Sequence, residues 1–167
     1  LKYRLVTDLA TEFVSLVPAS FFNELTKGCT SRCVPKLRAN EASLLPIPLH
    51  PSRLRDRGFN QAEVLGRLMA DRLHIPIGTD ILKRVKKTSP QVEMKERNKR
   101  LKNMKDVFSI PDSPPKADQP LADKFLIPNS TLILFDDVFT TGATMRAAGE
   151  TLKRAGARFV WAVTMAR

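Results

Sequence analysis

Cysteine is scarce in this 167-residue chain: Cys29 and Cys33 are the only two. Their CxxxC spacing supplies half of a tetrahedral zinc site, and neither His50 nor His74 stands at finger-like spacing to complete it. Two ordinary thiols in a cytoplasmic protein is the reading that follows. Long apolar runs are missing too. None approaches the ~20 residues that cross a bilayer, so no membrane insertion is expected. The opening LKYRLVTDLATEFVSLV carries Asp8 and Glu12 and has no small-residue cleavage site after an apolar core, which argues against a secretory signal. Aromatics make up 7% of the chain, and none falls between Lys83 and Val107. That weakens any base-stacking platform for single-stranded nucleic acid in this segment, though not simple phosphate contacts. The Walker A spacing with its phosphate-binding Lys is absent, as are the dinucleotide glycine fingerprint and any internal repeat.

Acidic residues are outnumbered: 17 Asp and Glu face 28 Lys and Arg, a net charge of +11. Such an excess points to nucleic acid, an acidic surface or a polyphosphate substrate. It is unevenly spread. From Lys83 to Lys105 there are ten Lys or Arg and two Glu, a local +8. The rest is ordinary: 43% hydrophobic and 27% charged residues, at a length that fits one domain with a proper core.

Periodicity organises the chain into alternating elements. Leu5, Leu9, Phe13 and Leu16 recur at helical spacing over residues 1–17 until Pro18, and residues 1–42 form an N-terminal helical part. A strand is predicted at Ala42 to Pro46, leaving the sheet near Pro48 because proline removes a ladder hydrogen bond. A polar loop, HPSRLRDRGFNQ, follows. Asn60 is then placed as the N-cap of a helix from Gln61 to about Leu73, with Glu63 completing a capping box. Residues 80–85 read as a strand, and Val107, Phe108 and Ile110 as another. Residues 80–120 as a whole read as a basic arm or lid inserted in a doubly wound core of 43–78 and 126–165. A helix from Thr144 to Ala155 and a strand over 158–165 finish the chain.

Residues 131–145, TLILFDDVFTTGATM, carry the chemistry. A short apolar run from Thr131 to Phe135 predicts a buried strand of the kind found in parallel sheets. It leads into Asp136 and Asp137, then into a Thr- and Gly-rich turn before an Ala-rich helix. Backbone N–H groups at a helix start attract anions, and Gly142 allows close backbone approach. Carboxylates at a strand's carboxyl end sit where open α/β sheets bind ligands. Together they suit a small molecule with a phosphate at one end and hydroxyls or a metal at the other. Arg53, Arg55, Arg57 and Gly58, in the loop after the other core strand, are placed to clamp a pyrophosphate through paired N–H donors.

Ile133 to Thr144, ILFDDVFTTGAT, closely resembles the signature with which type I phosphoribosyltransferases bind phosphoribosyl pyrophosphate. More narrowly, LKYR at 1–4, PIPLHPSRLRDRGFNQAEVLG at 46–66, KTSPQ at 87–91, the spacing of Arg100, Asn103 and Phe108, and the ending VWAVTMAR are similar to the ComF family. ComF proteins are competence-associated members of that superfamily, together with GntX-like proteins. The resemblance covers nearly the whole chain. It implies a type I phosphoribosyltransferase-like α/β fold, a mostly parallel sheet flanked by helices. It implies that Asp136 and Asp137 hold the ribose hydroxyls, that Val138, Phe139, Thr140, Thr141, Gly142, Ala143 and Thr144 hold the 5′-phosphate, and that residues 50–58 handle the pyrophosphate. Lys87 joins this binding set, Arg53 joins the two acids as a candidate catalytic residue, and magnesium accompanies the phosphoribosyl pyrophosphate. Thr88, Gln91 and Arg100 are lid residues able to reach a bound ligand. The four-cysteine segment that many ComF proteins carry ahead of LKYR is not among these 167 residues, and residues 26–42 are longer than the family leads one to expect.

Three functions share these residues. One is a transferase moving phosphoribose to a nitrogen acceptor. Another is a non-enzymatic component of DNA uptake that binds single-stranded DNA or a competence protein. The third is a regulator that binds phosphoribosyl pyrophosphate, or a related phosphorylated sugar or nucleotide, without turnover. Oligomerisation is compatible with each.

Overall fold

The most apolar stretches of the chain form its sheet. In the computed structural model, which describes residues 8, 10–12, 14–15, 42–86, 107–111, 127 and 130–166, strand β1 spans Ala42–Pro46 and β4 spans Thr131–Val138. They pair in parallel, Ala42 opposite Thr131 and Pro46 opposite Phe135. On the far side of β4, strand β5 (Phe159–Ala166) is also parallel. The order β1–β4–β5 therefore makes β4 the central strand. A further parallel bridge joins Leu44 to Ile77 beyond β1.

Pro46 is tolerated inside β1 for a geometrical reason. Along a strand the hydrogen-bonding groups of successive residues turn to opposite neighbours. Leu44 bonds outward, its N–H to the carbonyl of Pro76 and its carbonyl from Gly78 N–H, while the Ile47 N–H turns inward to the carbonyl of Phe135. Pro46 shares the parity of Leu44, so its missing N–H falls on the outer side, beyond Gly78.

Among the described residues, three helices lie between these strands: α1 (Pro51–Arg57), α2 (Gln61–Leu73) and α3 (Ala143–Arg154). Alternation along β4 assigns them to faces. Leu132 and Leu134 pack with Leu45, Ile47 and the α3 residues Met145, Ala148 and Leu152. Phe135 packs on the opposite face with Leu44 and the α2 residues Ala62, Met69 and Ala70, where the helical Val14 of the N-terminal part also joins. Arg72 ties that part down by donating to the Val14 carbonyl at 2.7 Å. The expected doubly wound core is present, helices on both faces of a parallel sheet.

Close approach of α2 to the sheet depends on Gly66. A Cβ there would stand 3.1 Å from Leu44 Cδ2, 3.5 Å from Phe135 Cδ1 and 3.6 Å from Pro46 Cβ. Gly66→Ala gains up to about 1 kcal/mol of helix propensity, which offsets this mild crowding. Gly66→Leu overpacks the contact, and a loss of roughly 1–3 kcal/mol or more is expected by urea denaturation. Equal midpoints for Gly66→Leu and wild type would show that the helix is free to retreat.

Two short strands stand apart. Strand β2 (Lys83–Arg84) and β3 (Phe108–Ser109) pair antiparallel, Arg84 opposite Phe108. This hairpin foot is anchored on the α3 side by Ile81, Leu82, Val107 and Phe108, all buried in the same cluster as Leu132 and Leu134. The expected strands at 80–85 and 107–110 are thus present but shorter. No helix of the described residues is long and apolar enough to cross a membrane.

The structure corrects three sequence-based assignments. Residues 51–57, expected as loop, form helix α1. Pro51 occupies its first turn, His50 Nδ1 accepts from the Ser52 N–H at 3.2 Å, and Gly58 closes the helix at φ 82°. Helix signals at both ends outweigh the polar composition between them. Asn60 stands at the N-cap of α2 as expected, but its side chain makes no capping bond. Its Nδ2 instead donates to the buried Ile47 carbonyl at 3.0 Å, and Glu63 pairs with Arg67 at 2.7 Å. A carbonyl stranded where β1 leaves the sheet has the stronger claim on that amide. Finally, β4 continues through Asp136 and Asp137 to Val138.

Candidate functional site

Parallel pairing brings the carboxyl ends of β1 and β4 to one edge of the sheet, so the segments that follow them meet there. From β1 the chain enters α1, carrying Arg53, Arg55 and Arg57. From β4 come Asp136 and Asp137, then the four residues Phe139 to Gly142 before α3 begins. Pairing with β5 holds both sides of this turn: Asp136 lies opposite Thr164 and Val138 opposite Ala166, and the Phe139 N–H donates to the Ala166 carbonyl at 2.8 Å.

The carboxylates are linked to one another and to the backbone. Asp136 Oδ1 accepts the Asp137 N–H at 3.0 Å, and Asp137 Oδ1 accepts the Val138 N–H at 2.9 Å. Burial pushes the Asp136 carboxyl up to about 7, and a hydrogen bond and like charge from Asp137 add to the rise. The backbone bond and the Arg84 guanidinium oppose it. Asp136 is thus poised between its neutral and charged forms near physiological pH.

The turn into α3 centres on Gly142. It begins α3 at φ 70°, and no side chain caps the helix there. The ring of Phe139 lies over it: a Cβ on Gly142 would come within 2.8 Å of Phe139 Cζ. Arg146 N–H donates to the Gly142 carbonyl at 2.9 Å, and Thr141 Oγ1 stands 3.5 Å from the Ala143 N–H. Val138, Thr140 and Thr141 are exposed, Thr144 is half-buried and Ala143 is buried in the first turn.

Helical geometry redistributes the three arginines. At about 100° per residue, Arg53 and Arg57 share a face while Arg55 points roughly 200° away. The three guanidinium groups therefore do not all turn to one ligand as a loop would have allowed. Arg57 bonds Gln61 Oε1 at 3.1 Å, Arg55 is exposed and Arg53 is half-buried. Gly58 is the left-handed C-cap, its N–H on the Leu54 carbonyl at 2.8 Å. Lys87, Thr88, Gln91 and Arg100 lie outside the described residues.

Arg84 is the charged residue that the sequence reading left out of the site. Its strand partner Phe108 is buried in the same cluster as Leu132 and Leu134, which share the parity of Asp136 along β4. The guanidinium lies 5.7 Å from the centroid of the Phe108 ring. Burial holds its pKa below the ordinary arginine value and the Arg53 charge lowers it further, while Asp136 draws it back. In the sequence Arg84 was one charge among ten in a basic block. Only a basic residue inside the otherwise apolar stretch DILKRV hinted at more.

Comparison with known proteins fits this arrangement. A phosphoribosyl transferase domain model matches residues 60–167, spanning the carboxylates and the turn after them. "Competence protein F" of Haemophilus influenzae (strain ATCC 51907 / DSM 11121 / KW20 / Rd) is 33% identical over 132 residues, covering 79% of this chain and 52% of that protein. "DNA utilization protein YhgH" of Escherichia coli O157:H7 is 26% identical over 117 residues, covering 70% of this chain and 45% of that protein. The chain spans about half the length of the curated relatives it matches. With a parallel α/β sheet, the signature residues at its carboxyl edge and a domain match over most of its length, the chain belongs to the phosphoribosyl transferase domain family as a ComF-like member.

Proposed function

We propose that this protein binds magnesium–phosphoribosyl pyrophosphate across the carboxyl edge of its sheet and passes the phosphoribosyl group to a nitrogen acceptor. The observation that carries this reading is the single edge holding two linked carboxylates, a glycine-started helix and an arginine-bearing helix. The 5′-phosphate would lie at Phe139 to Thr144, where amide N–H groups and the α3 dipole favour a dianion. Asp136 and Asp137 would accept hydrogen bonds from the ribose hydroxyls, and Arg53 would face the pyrophosphate. Two adjacent carboxylates suit a magnesium ion that keeps most of its water and is otherwise held by substrate phosphates, so the metal is treated as part of the substrate.

In the reaction the bond from C1 to the pyrophosphate oxygen breaks and a bond from C1 to the acceptor nitrogen forms. The protein's part is positioning and neutralisation of charge on the leaving group. Isothermal titration with magnesium and phosphoribosyl pyrophosphate tests the binding. Saturable binding that is lost when Asp136 and Asp137 are both replaced by Asn is the expected result. No heat of binding to the intact protein at millimolar ligand would sink the proposal. Pyrophosphate release across a panel of nitrogenous bases then separates a transferase from a binding-only regulator.

The names of the two relatives and the basic charge favour a second reading, a component that handles DNA. Single-stranded oligonucleotide binding that falls steeply between 50 and 200 mM salt, and is unchanged by the two Asn replacements, would support it over the first.

A further inference from the structure

We propose that the outer edge of β5 is a self-association surface, where a second copy of this chain adds its own β5 antiparallel to make one continuous sheet. The proposal is independent of what the carboxyl edge binds. It begins with the direction of the backbone groups along β5. The Arg158 N–H donates to the Ser130 carbonyl at 2.9 Å, and the Ala166 carbonyl accepts the Phe139 N–H at 2.8 Å. Residues of even number along this stretch therefore bond inward, toward β4 and its flanks, and those of odd number turn outward. The Phe159 N–H leans back to the Ser130 carbonyl at 3.2 Å. From the Phe159 carbonyl onward, through Trp161, Val163 and Met165, none of the described residues bonds the outward groups, and β5 ends the sheet. A row of unpaired N–H and C=O groups is a template for another strand.

The usual guards of an open edge are missing. From Phe159 to Ala166 there is neither a proline nor a charged residue. Lys153 and Arg158 lie against the Phe159 ring at 5.7 and 5.3 Å, at the start of the strand and not along its edge. None of the eight β5 residues is buried, whereas four consecutive residues of β4 are. The strand's own residues fit it to a second copy. Antiparallel pairing centred on Ala162 sets Trp161 opposite the second copy's Val163, and Phe159 opposite its Met165. Outward residues then meet outward residues, and each aromatic ring faces a β-branched or thioether side chain, a favourable cross-strand pair. Val160 falls opposite Thr164 and Arg158 opposite Ala166, so no like charges are paired in spite of the net +11. Ala162 meets itself on the two-fold axis, at a position where Cα atoms approach to about 4.5 Å. It is small and exposed, as that place requires. Such a pair is isologous and closes on itself. The two carboxylate sites then open on opposite edges of the joined sheet.

A single edge strand buries less than a standard interface, so the dimer is expected to depend on concentration. Sedimentation velocity of the full chain from about 1 to 200 μM tests this. Wild type is expected to pass from monomer to dimer across that range, with Trp161, the one tryptophan, becoming less accessible to acrylamide. Ala162→Lys and Ala162→Glu each set two like charges opposite one another at the axis, and each should weaken the dimer about fivefold or more. Mixed in equal amounts, the two variants should pair with each other at least as tightly as wild type does with itself. Val163→Pro removes an outward N–H and no bond to β4, and should also give a monomer. Thermal melting confirms that each variant is folded. Wild type that stays monomeric throughout overturns the proposal and leaves the edge to a strand of another chain. A dimer that neither Ala162 substitution weakens places the interface elsewhere and overturns it too, as would monomeric Lys and Glu variants that fail to pair when mixed.

Discussion

Asp136 will make magnesium–phosphoribosyl pyrophosphate bind up to about tenfold more weakly at pH 6 than at pH 8, and will itself release close to one proton on binding at the lower pH. With its carboxyl pushed up to about 7, free Asp136 is mostly protonated at pH 6 and mostly ionised at pH 8. A ligand that brings magnesium and hydroxyl donors favours the ionised form, so it must displace the proton below pH 7 and nothing above it. One unit below the pKa that linkage amounts to roughly a factor of ten. The sugar's own phosphate titrates near ~6, which adds to the profile in every variant. Asp137→Asn is the comparison that isolates the carboxyl. It removes the neighbouring hydrogen bond and like charge that raise Asp136, so the steep part of the profile moves to lower pH. Titration calorimetry in buffers of different ionisation enthalpy counts the protons directly. Identical profiles in the two proteins would take Asp136 out of the binding site. The sign for folding is opposite: a raised carboxyl pKa means that the folded state holds the proton more tightly than the unfolded chain does. Asp136 therefore contributes a loss of stability to the ligand-free protein as pH rises between about 4 and 7, and Asp136→Asn removes that contribution.

Gly142→Val will weaken binding of the sugar phosphate at least about 30-fold while leaving the melting temperature near that of wild type. Gly142 sits at φ 70°, where an L-residue is penalised by about 1–2 kcal/mol, and a β-branched one by more. A Cβ would also meet the Phe139 ring at 2.8–2.9 Å, so the ring must swing aside. In the free protein the partly exposed turn can relax to a right-handed conformation and avoid both costs, which is why the fold survives. Binding must restore the original backbone so that its amides face the phosphate, and there the whole penalty reappears. About 1.4 kcal/mol is a factor of ten, so Gly142→Ala is expected to lose roughly 5- to 30-fold and Gly142→Val at least 30-fold. Ribose 5-phosphate is the probe, because it reports on this end of the site alone. Wild-type affinity in Gly142→Val would mean that the phosphate lies elsewhere.

How much of this was legible beforehand varies from residue to residue. The β1 bounds were readable to the residue because turn and helix signals flank a short apolar run. Asp136 and Asp137 stood out because two charges following four large apolar side chains have few purely structural explanations. Helix α1 was misread because its polar composition resembles a loop, whereas Pro51 and Gly58, its end markers, carried the relevant signal. Asn60 holds the N-cap position of α2 as expected but not the capping bond, because an amide's partner is chosen by whichever buried carbonyl most needs a donor, and Ile47 is thirteen residues earlier.

By itself the sequence determined what depends on neighbours along the chain: the alternation of strands and helices, the carboxylates at a strand end, and the glycine that starts α3. It also determined the family, whose signature is a run of consecutive residues. Tertiary structure alone decided which charges face one another. Pairing of β2 with β3 across a long intervening segment sets Arg84 on Phe108. Two-residue alternation along β4 gives Asp136 the parity of Leu132 and Leu134, and helical geometry splits Arg53 from Arg55. Each is a consequence of packing in three dimensions, where a Coulomb interaction depends on distance through space and burial, not on separation along the chain.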